Sequence, residues 1–139
     1  MKAVSGTQMR GLDRRTIEET GISGERLMQI AGLRAGAGIL KQFAPGEAAP
    51  VFCILAGKGN NGGDAFVVAS LLADAGCNVT LHCTVPESEL SGDALTMFRR
   101  LPASIRDHIS YELTPADLEN PDTVVVDGLL GTGDRKSVV

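Results

Sequence analysis

The sequence predicts an α/β fold built on a mostly parallel, doubly wound sheet with helices in layers on both sides. Two features predict it. Short, continuously apolar runs, Val51-Phe52-Cys53-Ile54-Leu55-Ala56 and Thr123-Val124-Val125-Val126-Asp127, have the character of strands buried on both faces. Between and around them lie longer segments with apolar residues at helical spacing, and such alternation gives a parallel sheet with right-handed crossovers.

The elements follow in order. From Thr7 to Thr20, Met9, Leu12, Thr16 and Ile17 recur at helical spacing, and Gly21 stands where a helix-ending glycine belongs. Ser23 is a candidate N-cap for a second helix carrying Leu27, Met28, Ile30, Ala31, Leu33 and Ile39. Gly32, Ala35, Gly36 and Gly38 make part of its surface small, which suits either close packing on the sheet or contact with a second copy. Pro45-Gly46 ends that helix, and residues 50–56 form a strand. The loop 57–63 leads into a helix over 65–73 stopped by Gly76, then a strand over 78–85. Ser91-Gly92-Asp93 opens another helix through Ala94, Leu95, Met97, Phe98 and Leu101, and 123–127 is the last strand.

Composition narrows the function. Of 139 residues, 43% are hydrophobic and 22% charged, which fits one globular domain. The net charge of -4, with both signs interspersed, supplies no basic footprint for nucleic acid. No stretch approaches the roughly 20 apolar residues of a membrane span, so a cytoplasmic protein is expected. Cys53, Cys77 and Cys83 lack CxxC spacing and read as small hydrophobes in a reducing compartment. His82 sits in an apolar strand and His108 in a polar connector, neither at metal-ligand spacing. Arg99-Arg100 reads as a solvated helix end.

In a doubly wound sheet, ligands bind beyond the carboxyl ends of the strands, so the loops after residues 56 and 127 open on one edge. In Gly57-Lys58-Gly59-Asn60-Asn61-Gly62-Gly63-Asp64 the glycines permit positive φ and close backbone approach, giving either an anion-binding turn or a tight connection. Gly57, Gly59 and Gly62 match the glycines of a dinucleotide fingerprint, but the strand over 78–84 ends without the ribose-binding acid. A Walker loop is also absent, because Lys58 is followed by Gly59-Asn60. Asn60, Asn61, Asp64 and Asp127 offer hard oxygen donors to a hard cation; equally, the asparagines fill turn positions and Asp64 caps the next helix. For Asp127, at a strand end and followed by Gly131-Thr132-Gly133, a functional role is the stronger reading.

Taken together, Met9-Arg10-Gly11-Leu12-Asp13, Gly21-Ile22, Leu27-Met28-Gln29-Ile30-Ala31-Gly32, Asn60-Asn61-Gly62-Gly63-Asp64, Ser91-Gly92-Asp93-Ala94 and Val126-Asp127-Gly128-Leu129-Leu130-Gly131-Thr132-Gly133 resemble, in order and spacing, the YjeF N-terminal domain family of NAD(P)H-hydrate epimerases. The resemblance implies a three-layer Rossmann-like fold and interconversion of the R and S forms of hydrated NADH and NADPH (NADHX and NADPHX) in cofactor repair, alongside a partner dehydratase or dehydratase domain. It further implies one potassium ion held by Asn61 and Asp127, substrate contacts from Asn60, Asn61, Gly62, Gly63, Asp64, Gly131, Thr132 and Gly133, and a homodimer. Asp127 is the candidate catalytic acid, with Asp64 as its alternative. Rival readings are a non-catalytic binding module of the same fold, against which the intact loop and Asp127 argue, and a small-molecule kinase, weakened by the absent Walker loop.

Departures from the family pattern are Gln29, commonly glutamate, and Lys58, usually small or proline. The family continues through further strands and helices with an aspartate expected at the substrate and a serine or threonine expected at potassium. After Gly133 the resemblance stops. Asp134-Arg135-Lys136-Ser137-Val138-Val139 can be written GAT CGG AAG AGC GTC GTG, the start of a widely used sequencing adapter. The expectation is therefore that 1–133 is the N-terminal part of an epimerase domain, incomplete at its C-terminus, and 134–139 a non-native tail.

Overall fold

The computed structural model describes residues 2–4, 21–43 and 50–129. Four strands form one parallel sheet: β1 (Lys2–Val4), β2 (Val51–Ala56), β3 (Asn78–Cys83) and β4 (Thr123–Gly128), in the order β1-β4-β2-β3. Among the described residues four α-helices accompany them: α1 (Gly24–Gln42), α2 (Asn60–Asp74), α3 (Gly92–Arg99) and the single turn α4 (Ala103–Arg106). The expected α/β class, parallel sheet and Rossmann-like winding are observed.

Strand β2 is central because it is apolar throughout. Phe52, Ile54 and Ala56 face α2 and are at most 1% exposed, while Cys53 on the opposite face is 0% exposed. From β2 the chain passes through α2 to β3 on one side, then returns to β4 on the other. On the return it touches the sheet edge: Ser110 bridges His82 of β3, exchanging hydrogen bonds with Leu81 and Cys83. A short 3-10 turn at Pro115–Leu118 then precedes β4. The carboxylate of Asp117 in that turn is lowered below the usual range by the Thr114 backbone amide and hydroxyl, closing a capping box.

β1 pairs in parallel with β4, Ala3 opposite Val125. It was not expected from the sequence, because three residues leading into a polar segment show no periodicity. β3 ends at Cys83, two residues short of the expected 78–85. The helix expected over 7–20 lies outside the described residues, although Gly21, its proposed stop, has φ +70°.

α1 starts as read. The Ser23 hydroxyl accepts the Arg26 amide at 3.1 Å, satisfying one of the donors a helix leaves open at its start. Ser23→Ala is expected to lower stability by about 1 kcal/mol in urea denaturation, with unchanged m-value; no loss would mean that solvent caps this helix equally well. The small residues of α1 correct the expectation of packing on the sheet. Gly32 lies against Val67 and Gly36 against Leu71, both on α2, and a Cβ at either glycine would overlap those side chains. Two glycines four residues apart thus seat α1 tightly on α2, and Gly38 faces open space.

α2 ends as the glycine signal predicts. Gly76 has φ +84°, its amide bonds to Ala73 O, and Cys77 N bonds to Leu72 O, the paired hydrogen bonds of a Schellman stop. Arg99 and Arg100 are not merely solvated ends of α3: Arg99 pairs with Glu87 at 3.3 Å, and Arg100 pairs with Glu25 of α1. Among the described residues no helix is long and apolar enough to cross a membrane.

Candidate functional site

The site is built where the sheet order reverses, between β2 and β4. The parallel register sets Leu55 beside Asp127 and Ala56 beside Gly128, and the ladder continues with Gly57 N donating to Gly128 O at 3.0 Å. The β2–α2 turn and the end of β4 therefore lie side by side at the carboxyl edge, the position ligands take in doubly wound sheets.

The glycines of the turn act by close approach, and this corrects one expectation. None of Gly57, Gly59, Gly62 and Gly63 has positive φ; the described positive-φ glycines are Gly21, Gly76 and Gly92. A Cβ on Gly57 would sit 2.5 Å from Leu129 O, and one on Gly62 would enter the Gly57 carbonyl. At Gly128 a Cβ would lie 2.6 Å from Ala65 Cβ and 2.9 Å from Asn61 O. Three glycines thus let the turn, the first turn of α2 and the end of β4 converge at backbone contact distance.

The helix also begins earlier than expected. It was expected from residue 65 with Asp64 as its cap, but α2 starts at Asn60 with Gly59 at the N-cap, so Asn60, Asn61, Gly62, Gly63 and Asp64 form its first turn. The first helical hydrogen bond runs from Gly63 N to Gly59 O at 3.2 Å. The amides ahead of it lie at the open end of the helix beside the sheet edge, and Gly59 at the N-cap has no side chain to cap them. The positive end of the α2 dipole, with Lys58 exposed beside it, faces the crevice.

Asn60 is exposed, whereas Asn61 and Asp64 are each 2% exposed. Gly63 is covered by Met28 of α1 and Ala94 of α3, and the Asp64 carbonyl lies under Gly32. Asn61 reaches the site: its main chain abuts Gly128, the residue after Asp127. Asp127 is half-buried, on the sheet face opposite α2, and its Oδ1 accepts the Leu129 amide at 2.9 Å. That turn is a structural use for the side chain that the sequence reading did not anticipate, and an asparagine oxygen would serve it equally. Gly131, Thr132 and Gly133, the other expected substrate contacts, lie outside the described residues, as do 134–139.

The remaining titratable groups keep ordinary roles. Burial raises the Cys53 thiol and pushes Cys83 up to about 11, so neither is poised as a nucleophile. His82 is buried with Nδ1 at 3.0 Å from Glu112 O, which fixes Nδ1 as the donor, and His108 is exposed. No three His, Cys, Asp or Glu side chains converge as a metal cage among the described residues. What the edge offers is amide, carbonyl and carboxylate oxygen, the donor set of a hard cation.

The sequence profile of the family described as YjeF-related protein N-terminus matches residues 24–138. The chain is 38% identical to a bifunctional NAD(P)H-hydrate repair enzyme Nnr of Salinibacter ruber, over 90% of this chain and 25% of that protein. It is 35% identical to an NAD(P)H-hydrate epimerase of Rhodopirellula baltica, over 91% of this chain and 50% of that protein. It thus spans about a quarter of the first relative and half of the second. The crystal structure of yeast ynu0, YNL200c, shares the fold with a TM-score of 0.64 and 24% identity, over 94% of this chain and 57% of that one. With the strand reversal, the glycine-packed turn and a profile match running from the start of α1 through the whole described site, the chain belongs to the YjeF-related protein N-terminus family.

Proposed function

We propose that the chain carries the epimerase site of an NAD(P)H-hydrate epimerase, interconverting the R and S forms of NADHX and NADPHX. The observation that carries this reading is the packing of the Asn60–Asp64 turn against Gly128 at the end of β4, the residue after Asp127, in a chain whose relatives bear that enzyme's name. Direct support would come from incubating one purified NADHX epimer with the protein and following the other by chromatography. Interconversion no faster than in buffer alone would remove the reading.

The reaction inverts one carbon and needs no redox partner. The bond from the hydrated carbon to its hydroxyl breaks with its electron pair leaving on oxygen as a proton is supplied, and the ring nitrogen lone pair forms an iminium. Water then adds from the other face and returns the proton, so atoms and electrons balance. A carboxylate beside the ring stabilises the cationic species and mediates the proton. Asp127 is the candidate, its orientation set by the Leu129 amide. The uncapped amides at the start of α2 suit the substrate's phosphates. Asp64, in the same first turn of α2 and 2% exposed, is the alternative acid.

Asn61 and Asp127 would hold the potassium ion, which supplies a fixed positive charge for substrate oxygens at this edge. What supports this is the donor chemistry, amide and carboxylate oxygens that suit a hard cation, and the approach of the Asn61 carbonyl to Gly128, the residue after Asp127. Exchanging potassium for lithium is expected to slow epimerisation on the order of tenfold or more; an unchanged rate in potassium-free buffer would count against the ion. We further propose cytoplasmic action, a partner dehydratase or dehydratase domain, and a homodimeric assembly; relatives named bifunctional repair enzymes support a second activity alongside this one.

A further inference from the structure

Three helix starts meet behind the candidate site, and the Ser91-Gly92-Asp93-Ala94 motif lies at their junction. In the first turn of α2, Gly63 is wedged between α1 and α3: a Cβ there would overlap the Met28 thioether and stand 3.2 Å from Ala94 Cα. One turn before Met28, at the start of α1, Gly24 receives the Asp93 carboxylate, whose Oδ2 lies 2.8 Å from where a Gly24 Cβ would be. Asp93 immediately precedes Ala94. The same two helices are tied again at the surface by Arg100 and Glu25. Hence one side of the α3 start rests on α1 through Asp93, while the next residue presses on α2 through Gly63.

We propose that Asp93 is a positioning residue for the Asn60–Asp64 turn, acting through the α1–α3 junction without touching substrate or ion. Its half-buried carboxylate sits at the first residue of α1, at the positive end of that helix, and so favours a fixed spacing between α1 and α3. That spacing sets the gap that Gly63 fills. If it relaxes, the first turn of α2 shifts, carrying the uncapped amides and Asn61, while the β2–β4 ladder stays in register. Displacements of this kind, remote from the chemistry, weaken binding geometry before they disturb a fold. The role rests on the epimerase reading above, but its structural half does not.

The test compares Asp93→Ala, Asp93→Asn and Gly24→Ala with the parent protein by two measurements. Amide hydrogen exchange over residues 61–66 is expected to accelerate by roughly tenfold in Asp93→Ala, with β2 and β4 amides unchanged. In the epimerase assay, the same variant is expected to raise KM and the half-saturating potassium concentration by about fivefold, with kcat within about twofold. Asp93→Asn, which keeps the shape and an acceptor oxygen, restores most of both. Gly24→Ala pushes on the same contact from the other side and reads the same defect even if Asp93→Ala fails to fold. Unchanged exchange at 61–66 in both disruptive variants overturns the proposal, as does uniform acceleration through the sheet with kcat and KM falling together. A parent protein that does not epimerise would sink the epimerase reading, while exchange would still judge the clamp.

Discussion

Replacing Asp127 by asparagine is expected to lower kcat/KM for NADHX epimerisation by on the order of 10² to 10³-fold while leaving the fold intact. The substitution separates the two uses of this side chain. In the structure, Oδ1 accepts the Leu129 amide and closes the turn that follows β4, and an asparagine oxygen accepts the same bond. What asparagine cannot supply is negative charge, either to balance a cationic ring species or to attract potassium. Thermal unfolding should therefore match the parent within a degree or two, and half-saturating potassium should rise together with the loss of rate. A variant that keeps its rate would remove Asp127 from the chemistry and leave it a turn residue. A variant that loses rate and stability in parallel would mean that the turn, rather than the charge, is what the site requires.

The second large effect is on stability. Gly62→Ala is expected to destabilise the chain by about 2–4 kcal/mol and lower Tm by roughly 10 °C, because the added methyl enters the space of the Gly57 carbonyl. The obstacle is main chain at the end of β2, held by the hydrogen bond from Gly57 N to Gly128 O, so no rotamer change relieves it. Either α2 retreats from the sheet or the β2–β4 ladder opens at its last bond. Gly59→Ala is the matched control. It lies three residues earlier in the same turn, its φ is −88°, and nothing stands within 4 Å of its Cβ position. Calorimetry of the pair should show a loss at 62 and little change at 59. Equal effects at both positions would mean that helix propensity, rather than close approach, makes these residues glycine.

Much of this arrangement was legible in the residues. The continuous apolar run of β2 announces a strand buried on both faces, Ser23 announces the start of α1, Gly76 announces the stop of α2, and the alternation of these signals announces a parallel sheet. Each is a local property, carried by side-chain hydrophobicity, capping or φ preference within a few residues. The family resemblance likewise singles out the Asn60–Asp64 turn and Asp127, two segments that the β2–β4 register brings to one edge of the sheet.

What only the tertiary structure decided is the set of relations between segments far apart in the chain. Asn-Asn-Gly-Gly has poor intrinsic helix propensity, so a start at residue 65 was the local expectation; α2 instead begins at Asn60 because Gly62 and Gly63 let the turn settle against Gly57, Met28 and Ala94. β1 is three residues long and exists as a strand through pairing with β4, more than a hundred residues away. The small face of α1 suggested the sheet or a second copy, and packing instead assigned Gly32 and Gly36 to Val67 and Leu71 of α2. Likewise, the contact between Asp93 and Gly24 joins two helix starts about seventy residues apart, which no periodicity encodes. A sequence states what each segment prefers to be; which backbone it lies against is set when close packing and the parallel register choose among surfaces that look alike in one dimension.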